Sequence, residues 1–241
     1  LGVDRIRRWG RGVDAERFRP DRRSVTLRAE WGSEVVIGYV GRLAPEKQVE
    51  DLGVLQTIPG TRLVIVGDGP SRPRLEALLP DALFLGHLEG DALAEAMASF
   101  DVFVHPGESE TFGQTLQEAH ASGVPVIATG RGGPLGLVHM GIDGWLYRPG
   151  DLDDLRMRVA DLTGDARKRR AFGEAGSAAV QGRSWSSICD QLLGHFVEAR
   201  ELHAVDAGLR ARRLTRPEPS VPVDARRWQR YVALGDSLTE G

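Results

Sequence analysis

Residues 105–127, HPGESETFGQTLQEAHASGVPVI, decide how the rest of the chain is read. Just before them, DVFV (residues 101–104) is a short β-branched and aromatic run, the mark of a buried strand. Residues 105–110 are polar and turn-forming. Thr111-Phe112-Gly113-Gln114 has capping-box spacing, with a hydroxyl at the N-cap and an amide side chain three residues later. The helix so predicted runs to about Ser122, with Gly123 as the residue that ends it. Val124-Pro125-Val126-Ile127 then opens another strand. This order brings a helix N-terminus, with unpaired N–H groups and a positive dipole end, to the C-terminal edge of a parallel sheet, where anions bind. Glu110 sits just before the helix and Glu118 about two turns in. A helix start flanked by two acids points to a ligand carrying both phosphate and hydroxyl groups.

Outward from this stretch, short β runs alternate with helical segments. Strands are predicted over 35–40, 62–66, 82–85, 102–104, 126–128 and 145–147. Helices are predicted over 47–56, from the Gly67-Asp68-Gly69-Pro70 turn to about Leu79, and over 91–99, 133–139, 152–162, 166–180 and 185–200. The alternation calls for an α/β, Rossmann-like parallel sheet with helices on both faces, spanning 35–200. Residues 1–34 are polar and Arg-rich, and read as a linker and the start of that domain. Residues 201–230 read as a helix tail to about Arg213 and then an extended linker, interrupted by Pro217, Pro219 and Pro222.

Composition narrows the function classes. The chain has 241 residues, 41% hydrophobic and 27% charged, with net charge −3. That mild charge argues against a general nucleic-acid or membrane-surface binder. The single cysteine, Cys189, excludes a disulfide framework within the chain, and its apolar helical surroundings predict a small core residue. No apolar run approaches the ~18 residues needed to span a bilayer. The first residues, LGVDRIRRWG, lack a methionine and read as the middle of a longer chain. Of 31 basic residues only Lys47 and Lys168 are lysine, which points to a GC-rich bacterial genome and singles out the two lysines.

Gly41-Arg42-Leu43-Ala44-Pro45-Glu46-Lys47 comes directly after the first strand. Arg offers a planar fork to phosphate oxygens and Lys a point charge. Fixed cations of this kind, with oriented N–H groups, stabilise phosphate charge without a metal.

Glu110-Thr111-Phe112-Gly113 and Glu118-Ala119 closely resemble the signature of retaining GT-B glycosyltransferases of family 4. The resemblance covers about residues 1–200 and implies the C-terminal, donor-binding half of a GT-B fold. It implies that Glu110 lies near the donor sugar and that Glu118 holds the ribose hydroxyls. Phe112, Gly113, Gln114 and Thr115 would contact sugar and diphosphate, and Gly41, Arg42 and Lys47 would bind the diphosphate. Gly86-His87-Leu88 lies where the family makes backbone contacts to the base, so Leu88 is a substrate-binding candidate. Asp68 reads as a cap, and His105 either as a packed residue or as a ligand contact. In the loop Gly132-Gly133-Pro134-Leu135-Gly136, Gly136 stands where the family commonly has an acid.

GRLAPEKQVEDL and HPGESETFGQTLQEA together resemble bacterial GDP-mannose-dependent α-mannosyltransferases acting on lipid acceptors. That likeness implies a nucleotide-sugar donor, no cofactor and no metal, and a lipid or glycan acceptor held by an N-terminal domain. The enzyme would be cytoplasmic, at the inner face of the membrane. The chain alone is expected to bind a nucleoside diphosphate and to transfer no sugar. A non-catalytic nucleotide-binding module is the alternative.

Residues 231–241, YVALGDSLTEG, resemble the first block of GDSL/SGNH hydrolases, with Ser237 as the nucleophile. The His and Asp partners that activate such a serine lie downstream in that family. An esterase carrying a glycosyltransferase-like domain is thus a further alternative.

Overall fold

The computed structural model describes residues 6–7, 9–32 and 35–214. The predicted linker beyond 214, the 231–234 strand and Ser237 lie outside the described residues. Two compact units divide the chain at His195 and Phe196, inside one continuous helix.

In the first unit, β1 (Val35–Val40), β2 (Thr61–Val66), β3 (Leu83–Gly86), β4 (Val102–His105), β5 (Val126–Thr129) and β6 (Gly144–Tyr147) form one sheet. The order is β3-β2-β1-β4-β5-β6, and every pairing is parallel. Strand order reverses between β1 and β4, and at such a point ligands bind outside the carboxyl ends of the strands.

Helices cover both faces. Alternation along the strands divides the core in two, because successive side chains point to opposite faces. Val36, Val40, Phe103 and Val126 join one buried cluster with Ala94 and Met97 of α3 (Gly90–Ala98) and Leu116 and Ala119 of α4 (Gln114–Ala121). Ile37, Tyr39, Val104 and Ile127 join the other, with Leu75 of α2 (Arg72–Leu78) and Leu155 and Val159 of α5 (Leu152–Thr163). Gly38 lacks a side chain because Phe100 fills that space: a Cβ there would lie 2.1 Å from its ring.

Three local expectations need correction. Residues 47–56 do not form an α-helix but two 3-10 segments, Pro45–Lys47 and Val49–Thr57, separated by Gln48 at φ 49°. The predicted helix over 133–139 shrinks to a 3-10 turn, Gly133–Gly136, in a stretch rich in glycine, a poor helix former. Cys189 is exposed, on the long C-terminal helix Trp185–Leu214, rather than in the core.

Described residues before 35 pack as the start of this unit. Val13, Phe18 and Trp31 are buried in the first cluster, and Trp31 stacks on Phe100 at 5.8 Å. Helix α1 (Val25–Trp31) is capped by Ser24, whose hydroxyl accepts from Leu27 N–H. Arg23 and Arg28 pair with Asp101, whose Oδ2 also accepts from Val36 N–H at 2.7 Å. These polar side chains are ordered because Asp101, just before β4, supplies them a carboxylate, a long-range contact that local composition does not reveal.

The turn after β2 sets the height of the β1 loop. Gly67 adopts φ +132°, and a Cβ there would lie 1.9 Å from the Gly41 carbonyl oxygen. Gly67→Ala should therefore destabilise the chain by about 2 kcal/mol or more. Gly136→Ala, where a Cβ meets nothing within 4 Å, should be close to neutral. Urea unfolding of both variants checks this; equal midpoints would contradict the close packing of the two turns.

Candidate donor-binding site

The loops leaving the C-terminal ends of β1 and β4 build the crevice. After β1 the chain turns at Gly41, whose N–H donates to Val66 O at 3.0 Å. Leu43 N–H donates to Asp68 O at 2.8 Å, so the β2 turn carries the Arg42 loop. Asp68 accepts from Gly69 N–H at 2.7 Å and pairs with Arg72, but it does not cap the helix that follows, whose N-cap is Ser71 with no side-chain cap. Gln48, in its left-handed conformation, accepts from Glu108 N–H at 2.7 Å and ties the Lys47 turn to the loop after β4.

Glu110 is where these pieces converge. Its Oε2 accepts from Lys47 Nζ at 3.0 Å and lies 3.3 Å from His105 Nε2. Its Oε1 accepts from Phe112 N–H at 3.2 Å and Gly113 N–H at 3.0 Å. The His105 bond, then Lys47 and Phe112 N–H, hold this carboxyl well below the usual range, against the opposing effect of burial. His105 is buried against Glu110 and also lines the cavity between these loops, so it is packed and ligand-facing at once. Its Nδ1 is buried with no partner among the described residues.

The predicted capping box does not form. The α4 N-cap is Gly113 at φ 89°, with no side-chain cap, and Thr111 is exposed. A left-handed glycine moves the helix start past Thr111, and the Glu110 carboxylate accepts from the Phe112 and Gly113 N–H groups that lead into it. Gln114 instead donates its amide to Gly12 O at 3.0 Å.

A cavity of about 160 Å³ lies here. Its wall brings together Gly41, Arg42, Lys47, Glu110, Phe112, Gln114 and Thr115 from the sequence candidates. Gly113, Glu118 and Leu88 are not in that wall. Gly113 is buried behind it, where a Cβ would meet Leu116 at 2.8 Å, and Leu88 packs against the first core cluster. Arg11, Tyr39, Val40, His105 and Thr111 complete the wall. Arg11 escaped sequence reasoning because its segment reads as a linker, and Tyr39 because it reads as core strand. The Tyr39 hydroxyl donates to Arg42 O at 3.2 Å; burial, then Glu110 and Glu46, raise its pKa.

Both expected phosphate cations already have carboxylate partners. Arg42 pairs with Glu46 on the surface, and Lys47 with Glu110 inside the wall. Among the described residues no group of three or more His, Cys, Asp or Glu could hold a metal ion, and no helix is long and apolar enough to cross a membrane.

The profile of the glycosyl transferases group 1 family matches residues 27–179. A GDP-mannose-dependent alpha-mannosyltransferase of Mycolicibacterium smegmatis is 49% identical over 80% of this chain and 52% of its own length. One of the same name from Mycobacterium tuberculosis is 47% identical over 83% of this chain and 53% of its own. The chain spans about half the length of the curated relatives it matches. Among solved structures, Anabaena Alr3699/HepE in complex with UDP and glucose aligns with TM-score 0.69 and 25% identity, over 77% of this chain and 55% of that one.

Glu118 generates a pH prediction. Burial raises its carboxyl from 4.5 to about 7, against a bond with Gln114 that lowers it. A folded pKa above the unfolded one means stability that is full below pH 4.5 and lost as pH rises through about 7. Glu118→Gln should match the wild type near pH 4.5 and exceed it at pH 8 by up to about 3 kcal/mol. Urea unfolding at several pH values tests this; parallel stability curves would refute it.

Proposed function

The chain belongs to the glycosyl transferases group 1 family, and from that membership we propose that it is the donor-binding half of a retaining hexosyltransferase. It takes mannose from GDP-mannose and passes it to a lipid or glycan acceptor held by an N-terminal domain. The observation that carries the reading is the convergence of Arg42, Lys47, Glu110 and the start of α4 at the C-terminal ends of β1 and β4. The choice of mannose and guanine rests on the 47–49% identity to two proteins named GDP-mannose-dependent alpha-mannosyltransferase.

In this reading the anomeric carbon–oxygen bond breaks toward the diphosphate, and Arg42 and Lys47 neutralise the leaving group without a metal. Gly41, Phe112, Gln114 and Thr115 line the cavity and approach the phosphates and sugar, with Gly113 holding the turn behind them. Glu110 keeps Lys47 and the Phe112 and Gly113 N–H groups in place beside the sugar. Glu118 accepts from the ribose hydroxyls, and Leu88 offers its backbone to the base. Lipid acceptors place the enzyme at the inner face of the cytoplasmic membrane. A GDSL hydrolase beginning at residue 231, with Ser237 as its nucleophile, rests on YVALGDSLTEG alone, outside the described residues.

Titration calorimetry with GDP and UDP tests the reading. The wild type should bind GDP more tightly than UDP. Lys47→Gln should weaken GDP binding by about 1–3 kcal/mol, the range for a charge-assisted hydrogen bond. Binding of neither nucleotide would overturn the reading, and preference for UDP would overturn its guanine part.

A further inference from the structure

The charge inventory of the cavity wall leaves one cation unaccounted for. Arg42 is paired with Glu46, and Lys47 and His105 both meet Glu110. Arg11 lines the same cavity, and among the described residues its guanidinium meets no carboxylate; it lies over the Phe112 ring, 5.7 Å from the centroid. The side chain is exposed while its backbone is fixed. Arg11 O accepts from the Gln117 amide at 3.2 Å and Gly12 O from the Gln114 amide at 3.0 Å. Gln117 is only 1% exposed, so one face of the signature helix is committed to holding residues 11 and 12. The opposite side of this segment is closed as well, since a Cβ on Gly12 would lie 2.4 Å from Trp185 N.

A locked backbone carrying an exposed guanidinium suits anion binding, because the backbone needs no ordering when the anion arrives. A nucleoside diphosphate brings at least two negative charges into a wall whose other cations already have partners. We propose that Arg11 is a further donor-binding residue: its guanidinium leaves the Phe112 ring and forks onto the diphosphate oxygens of the nucleotide. The inference rests on the donor-site reading above and adds to it a residue from outside the sheet. It also gives Gln114 and Gln117 a role, as positioning residues that act through Arg11.

The test is GDP titration of the 241-residue chain at low and high salt, with Arg11→Gln, Arg11→Lys and Arg42→Gln. Arg11→Gln should bind GDP on the order of tenfold more weakly at low salt, the loss expected for one charge-assisted contact. Its affinity should also depend less on salt than that of the wild type, since a screened charge has gone. Arg11→Lys should recover part of the affinity, and melting temperatures should stay within a few degrees of wild type. Wild-type affinity and salt dependence in Arg11→Gln, alongside weakening by Arg42→Gln, would overturn the Arg11 assignment and leave the donor-site reading standing. So would a loss that Arg11→Lys fails to rescue and that tracks a lowered melting temperature, because Arg11 would then be structural. A wild type that binds neither GDP nor UDP would remove both.

Discussion

The Glu110 carboxylate is the constraint on which the site depends. One oxygen takes Lys47 and His105, the other two consecutive backbone N–H groups at the start of α4. Those partners come from three elements: the turn after β1, the end of β4 and the loop before α4. Half-buried charges are stable only when paired and hydrogen-bonded, so the arrangement holds all three together or none. The glycines behind it close the same joint. Gly133 N–H donates to Glu110 O at 2.7 Å, and a Cβ on Gly133 would meet Phe112 O at 2.6 Å. The Gly-rich loop after β5 is thereby a backstop for the signature loop.

The sheet was legible because parallel strands buried on both faces leave apolar runs that little else produces, and all six appear within a residue or so of their expected bounds. The α4 C-terminus was legible too: Gly123 takes φ 70° just past the helix, as its place in SGVPV implies. What failed was local chemistry that a distant partner decides. Thr111 has capping-box spacing, yet Glu110 supplies the acceptors and Gly113 becomes the N-cap. Residues 9–31 look like a linker until Asp101 gives Arg23 and Arg28 a common partner. Cys189 sits among apolar neighbours on a helix whose Trp185 and Leu193 are themselves exposed.

Site residues divide the same way. Arg42, Lys47 and Glu110 were readable as types at a spacing, and the structure gathers them in one wall. Their pairing was not readable, because Glu46 and Glu110 could each have faced solvent. Arg11 was invisible for a sharper reason: nothing within its own segment marks it, and its position depends on two glutamines more than a hundred residues away.

The two cation pairs differ in how readily a diphosphate could displace them. Arg42 and Glu46 form an i,i+4 pair with both side chains substantially exposed. Such pairs are worth only about 0.3–0.5 kcal/mol and are screened by salt, so phosphate oxygens could replace Glu46 at little penalty. Lys47 and Glu110 lie deeper, at 23% and 16% side-chain exposure, and Glu110 carries three further contacts. Separating them would leave a half-buried carboxylate with less of its compensation. On the proposed reading, Arg42 therefore changes partners when the donor arrives, whereas Lys47 stays on Glu110 and presents its remaining N–H groups. The wall then gains positive character where the leaving group is bound without giving up the interaction that shapes it.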